Sequence, residues 1–250
     1  MYSGTRLSVN TFYLQLEELT GVCAPYDLAT QMGVKLTDPA AERYPSFTLG
    51  IADASPLEMA EAYATFAARG LHCASRPVSQ ILDSGGNVLL DYAPQCTQVM
   101  QQNVADAVSN VLRGVIEGGF ASGEALTTAA AGKTGTTTAQ KAVWFCGYTT
   151  QYAEAATIAG IDSLGRPESL VGKTVDGTYI YEASGSGFAA PIWGDALKVL
   201  TAGQPYEDFV YPEGIEGVGQ TSANPPKPPK GPKGHQGPGG GNGNGGGPGR

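Results

Sequence analysis

The sequence predicts an α+β fold in which helices pack on an antiparallel sheet. Helical signals crowd the first half of the chain and one more closes it, while strand character concentrates between residues 142 and 181. The segments joining those strands are too short to hold the helical crossovers that parallel strands need. A length of 250 residues, 41% of them hydrophobic and 15% charged, allows one large domain or two small ones and excludes a coiled coil or a wholly disordered chain. No repeat of the 20–50-residue kind is present.

In chain order, a first helix follows Asn10, carrying Phe12, Leu14, Leu16 and Leu19 toward Gly21. Ser55-Pro56-Leu57-Glu58 combines an N-cap serine, a proline at the first helical position and a capping-box glutamate. Met59, Ala60, Tyr63, Ala64, Phe66 and Ala67 then recur at helical spacing up to Gly70, which predicts a helix over 56–69. Pro77–Leu82 and Val88–Tyr92 flank the turn signal Asp83-Ser84-Gly85-Gly86-Asn87 and predict a hairpin. The midpoint between Cys73 and Cys96 falls inside that turn, so a hairpin would bring them opposite each other. A disulfide there would contribute about 3 kcal/mol and imply an oxidising compartment; the other reading is two buried free thiols. Asn103 caps a helix whose face is Val104, Ala107, Val108, Val111, Leu112 and Val115, ending at Gly118-Gly119. Strands are expected over Ala142–Thr150, Ala153–Ile161 and Thr178–Tyr181, and a last helix from Pro191 through Trp193, Leu197 and Leu200 to Gly203. Cys23 and Cys146 read as packed thiols.

Composition changes near Thr221, which divides the chain into a folded region, 1–221, and a tail, 222–250, holding 11 of the glycines and 7 of the prolines. Such a tail cannot bury enough apolar surface to offset its ordering entropy and is expected to be disordered. Residues 1–221 contain 23 acidic against 11 basic side chains, a formal charge of −12 that would repel nucleic acid. No apolar run approaches the length of a membrane span, and the first residues lack the apolar core of a signal peptide.

Two histidines, His72 and His235, leave no room for a Ser-His-Asp or Cys-His constellation or a His-based metal site, and the cysteine spacing argues against structural zinc. No metal or cofactor is implied. Gly132-Lys133-Thr134 is not a phosphate loop, because position 127 is threonine where that motif needs glycine. What remains is Lys133-Thr134-Gly135-Thr136, a cation and two hydroxyls flanking a glycine. On a strand, Thr134 and Thr136 share one face while Gly135 leaves the other open. This suits a carboxylate, and the backbone N–H groups suit a developing oxyanion. Ser8-Val9-Asn10, just ahead of the first helix, is the second element, although helix-capping turns use the same residue types.

In this order the two strings resemble the S-x-N and K-T-G motifs of the penicillin-recognising serine acyltransferases. Pro45–Gly50, Ser55–Gly70 (SPLEMAEAYATFAARG), Ala131–Thr138 (AGKTGTTT), Trp144–Thr149 and Ala190–Asp195 (APIWGD) resemble the transpeptidase domain of class A penicillin-binding proteins, over nearly all of residues 6–205. The resemblance implies the penicillin-binding transpeptidase or serine β-lactamase-like fold and an extracytoplasmic location. It also implies cross-linking of peptidoglycan stem peptides that end in D-Ala-D-Ala, with β-lactams as inhibitors, and it favours the Cys73–Cys96 bridge. By the same resemblance Ser8 relays a proton, Asn10 hydrogen-bonds the substrate backbone, Lys133, Thr134, Gly135 and Thr136 form the carboxylate site, and the Thr136 N–H is one oxyanion donor.

The family's nucleophile is the serine of S-x-x-K. The residues three before the lysines are Met32, Ala130, Thr138, Leu170, Asp195, Asn224, Lys227 and Lys230, and none is serine. The nucleophile, its lysine, the second oxyanion donor and the first strands of the sheet are therefore expected to be missing, leaving an exposed sheet edge. On this reading the chain is the C-terminal part of a transpeptidase domain, inactive and marginally stable alone, with membrane contact only through an upstream anchor. A non-catalytic binding module is the alternative.

Overall fold

The computed structural model describes residues 1–36, 38–50 and 52–214, all within one compact unit, Met1–Val218. The expected tail, 222–250, and its boundary at Thr221 lie outside the described residues. Helices lead: α1 (Tyr2–Arg6), α2 (Asn10–Thr20), α3 (Cys23–Gln31), α4 (Pro39–Glu42) and α5 (Pro56–Ala67). Then come the short strands β1 (Leu71–Cys73), β2 (Gln80–Leu82), β3 (Val88–Asp91) and β4 (Cys96–Gln98), and the long helix α6 (Gln102–Ile116). The main strands β5 (Ala131–Thr136), β6 (Ala142–Tyr148) and β7 (Ala153–Ile161) follow, with the two-residue strands β8 (Pro167–Glu168), β9 (Thr174–Val175) and β10 (Thr178–Tyr179). A π-helical turn, Gly185–Ala189, leads into α7 (Ala190–Leu200).

The central sheet runs β5-β6-β7-β8 and is antiparallel throughout. Strand alternation assigns its faces. Phe145 meets the Trp193 indole of α7 on one face, with ring centroids 5.0 Å apart. On the other, Tyr148 packs against Tyr63 and Phe66 of α5 and its hydroxyl shares a 2.9 Å hydrogen bond with Ser109 of α6. Both aromatics are fully buried, so the sheet is the middle layer of a three-layer sandwich. Beyond Gly160 and Ile161, which pair with β8, the outer edge of β7 has no strand partner among the described residues.

The capping box at Ser55 forms in full: the Ser55 hydroxyl accepts from the Glu58 N–H and the Glu58 carboxylate accepts from the Ser55 N–H. Asn103 does not cap α6. The helix starts two residues earlier, with Gln101 at the N-cap and no side-chain cap bond, because its strongly one-sided apolar face sets its position against the sheet. The strand expected to reach Tyr181 stops at Tyr179, since its partner β9 is two residues long. Asp176 and Gly177 form the tight turn between them, both with positive φ (47° and 75°).

The β2–β3 ribbon folds at Asp83–Asn87, where the Asp83 carboxylate accepts from the Gly85 and Asn87 N–H groups. At its base Cys73 and Cys96 are register partners in β1 and β4, with Cα atoms 4.0 Å apart and sulfurs 2.09 Å apart, a bonded pair. Cys146 is buried and Cys23 is exposed, the latter against the expectation of a packed thiol, because α3 turns its first residue to solvent. No described helix is long and apolar enough to cross a membrane.

Candidate active site

The site is built where the α1–α2 turn meets β5. Gly4 lies so close to the Phe12 ring that a Cβ there would sit 2.5 Å from Cδ1, and this close approach brings α2 back against α1. The reversal passes through Ser8, whose φ of +51° is in the left-handed region, an uncommon conformation for a residue with a Cβ. The Ser8 hydroxyl accepts a 2.6 Å hydrogen bond from Lys133 Nζ, which also donates to the Thr134 carbonyl at 2.9 Å. Ser8 therefore does not cap α2. Val9 is the N-cap, without a side-chain cap bond, and Asn10 is the exposed first residue of the helix. The helix-capping reading of Ser-x-Asn fails at both positions.

Lys133 is opposite Cys146 in register, so its side chain lies on the α5–α6 face of β5. Burial there lowers its pKa from 10.5 to about 8, and it makes no ion pair among the described residues. A desolvated ammonium held only by neutral acceptors is poised to gain from an incoming carboxylate. The same burial pushes the Cys146 thiol up to about 12, which leaves it protonated and unreactive.

Thr134 and Thr136 pair with Phe145 and Val143 and so project from the opposite face of β5. Lys133 and the threonines can therefore meet one ligand only across the strand's open edge. Backbone alternation points the donors to that edge. The Thr137 N–H bonds the Ala142 carbonyl at 2.9 Å, toward β6, so the Thr136 N–H points the other way, where no described strand pairs. A π-helical turn braces this end of the strand: the Gly185 N–H donates to Thr136 Oγ1 at 3.2 Å. A Cβ at Gly185 would lie 2.7 Å from the Gly135 carbonyl oxygen and would also strike the Trp144 carbonyl. Gly135 is itself partly exposed, beside Lys133 on the same face.

The geometry thus brings together Ser8, Lys133, Gly135 and the edge N–H of Thr136, while Asn10 makes no side-chain hydrogen bond to them among the described residues. A Penicillin binding protein transpeptidase domain model matches residues 3–198. The chain belongs to this family. Penicillin-binding protein 1A of Aquifex aeolicus is 32% identical over 206 residues, 82% of this chain and 26% of that protein. The protein of the same name from Clostridium botulinum is 27% identical over 83% of this chain and 24% of its own. The chain therefore spans about a quarter of the length of the curated relatives it matches. Among solved structures, PonA1 from Mycobacterium tuberculosis in complex with penicillin V superposes with a TM-score of 0.71 at 28% identity, covering 91% of this chain and 62% of that one. The α+β transpeptidase fold is thus established for this chain.

Gly185 and Gln140 were not singled out from the sequence. Gln140 accepts from the Leu170 N–H through its carbonyl and from the Ala183 N–H through its side chain, tying the loop after β5 to the segment before α7. The signal for Gly185 was the run of small residues Ser184-Gly185-Ser186-Gly187 directly ahead of the Ala-Pro-Ile-Trp motif, where only a missing Cβ permits the approach to β5.

Proposed function

We propose that this chain supplies the carboxylate-recognition and proton-relay half of a serine acyltransferase that cross-links peptidoglycan stem peptides ending in D-Ala-D-Ala. The observation that carries the proposal is the 2.6 Å contact between Lys133 Nζ and Ser8 Oγ beside the open edge of β5. A substrate or β-lactam carboxylate binds between the Lys133 ammonium and the threonine hydroxyls. Asn10 hydrogen-bonds the substrate backbone, and the Thr136 N–H accepts the role of oxyanion donor, worth roughly 3–4 kcal/mol of barrier in comparable sites. Ser8, whose oxygen already takes a hydrogen bond from Lys133, passes a proton to the leaving amine or takes one from the attacking amine. The reaction belongs on the envelope side of the plasma membrane, where Cys73–Cys96 stays oxidised.

The acyl-forming serine is not among these residues: no lysine follows a serine by three positions. On this reading these residues bind without reacting, because they supply no Ser-x-x-Lys element. Two measurements test this. A blocked D-Ala-D-Ala peptide should bind saturably and lose that binding in Lys133→Ala. Intact-mass analysis after incubation with penicillin V should show no adduct. Equal binding by Lys133→Ala would remove Lys133 as the carboxylate anchor, and a covalent adduct would overturn the assignment of the chain as a non-acylating part.

A further inference from the structure

A ledge of exposed aromatic surface adjoins the site and takes no part in the chemistry described so far. Between β9 and the π-helical turn, alternate residues face in and out: Tyr179 and Tyr181 are 48% and 82% exposed, whereas Ile180 between them is 3% exposed. Ile180 packs with Leu170, Ala183 and Val143, and Val143 is the cross-strand partner of Thr136. Three further bonds fix the segment. The Ile180 N–H donates to the Lys173 carbonyl, the Ala183 N–H to the Gln140 side chain, and the Gly185 N–H to Thr136 Oγ1. Tyr181 is four residues from Gly185, so it lies within about 14 Å of that residue, whose N–H is bonded to the strand that carries the site.

The two tyrosine rings meet edge to face, with centroids 4.5 Å apart and planes at 63°, forming an aromatic corner open to solvent. Large apolar side chains this exposed on a rigid support mark a contact surface. Charge indicates the occupant. Lys173, the cation of this segment, is engaged with Glu168 at 2.7 Å, while the exposed Asp176 and Glu182 have no ion-pair partner among the described residues. Glu182 follows Tyr181 directly and Asp176 is three residues before Tyr179, and exposed aromatic rings with unneutralised carboxylates this near in the chain suit a cation, through the ring quadrupole and the long-range field together.

We infer that the Tyr179–Tyr181 ledge, with Glu182 and Asp176, holds the primary ammonium group of the acceptor peptide before that group gives up a proton, taken at Ser8, and attacks the acyl group as the free amine. The inference rests on the cross-linking function proposed above, because that reaction consumes an amine and the carboxylate site at Lys133 cannot hold one. Donor carboxylate and acceptor ammonium would then occupy oppositely charged places on the two sides of Thr136.

The test titrates the isotope-labelled 250-residue chain with two peptides, followed by amide chemical shifts. The donor probe is an N-acetylated D-Ala-D-Ala peptide, and the acceptor probe is a lysine peptide with a free side-chain amine and an amidated C terminus. The acceptor probe should shift residues 176–182, and its Nε-acetylated form should not. Tyr181→Ala and Glu182→Gln should each weaken acceptor binding by roughly fivefold to tenfold, Tyr181→Phe should keep it, and the donor affinity should stay within about twofold in all three. Acceptor affinity unchanged in Tyr181→Ala and Glu182→Gln, or equal binding of the acetylated form, would overturn the inference. Failure of the donor probe to bind wild-type protein would instead overturn the function on which it rests.

Discussion

Lys133 offers a prediction with a magnitude set by its burial. Its ammonium form must be present to bind a carboxylate, and desolvation lowers its pKa from 10.5 to about 8. The dissociation constant of a blocked D-Ala-D-Ala peptide should therefore rise about twofold at pH 8, about tenfold at pH 9 and about a hundredfold at pH 10, relative to pH 6. An exposed lysine would leave the affinity nearly constant to pH 9. Stability should move in the opposite sense. Between about pH 8 and 10.5 the unfolded chain holds a proton that the folded chain has released, so unfolding free energy contributed by this group rises with pH across that window. Calorimetric titration from pH 6 to pH 9.5, paired with urea unfolding over the same range, reads both trends. Lys133→Met should lose the peptide binding at every pH and remove this group's share of the rise in stability. Affinity that stays flat to pH 9.5 would refute the idea that a desolvated Lys133 anchors the ligand.

Four further outcomes follow from packing and covalent structure. Replacing both Cys73 and Cys96 with serine frees a loop with a sequence separation of 23, and urea unfolding should show a loss of about 3.5 kcal/mol by loop entropy. An equal stability with and without reductant would show that the bridge does not form. Gly185→Ala forces a methyl against the Gly135 and Trp144 carbonyls and should cost about 1–3 kcal/mol in stability, with donor-peptide affinity falling as Thr136 loses its brace. Arg69→Ala removes the two guanidinium bonds of 2.9 and 2.8 Å that hold the Asp106 carboxylate, which is 4% exposed, and should lower stability in the same assay, whereas unchanged stability would show that the pair is fully screened. Ser55→Ala removes half of the capping box on α5 and should cost about 1 kcal/mol by the same assay.

Local signals in the sequence determined much of this protein. Ser55 and Glu58 mark the start of α5 because a cap is satisfied within four residues, and the Asp83–Asn87 turn sets the ribbon because its carboxylate bonds its own backbone. Periodicity placed α6 and α7 to within a residue or two, and the order of motifs identified the transpeptidase family. The short helix α1 left no such trace, since a helix of five residues is held by tertiary contact rather than by its own pattern. Ser8 and Asn10 read equally well as caps or as site residues in one dimension. Only the fold excludes the capping role, because Val9 is the N-cap and the partner of Ser8 is Lys133, 125 residues away, reached through a left-handed turn that α1 and α2 impose. The same holds for the opposite facing of Lys133 and the threonines, the brace from Gly185 and the lowered pKa of Lys133. Each depends on which surfaces exclude water and which backbones touch, and those are properties of the assembled layers rather than of any local run of residues.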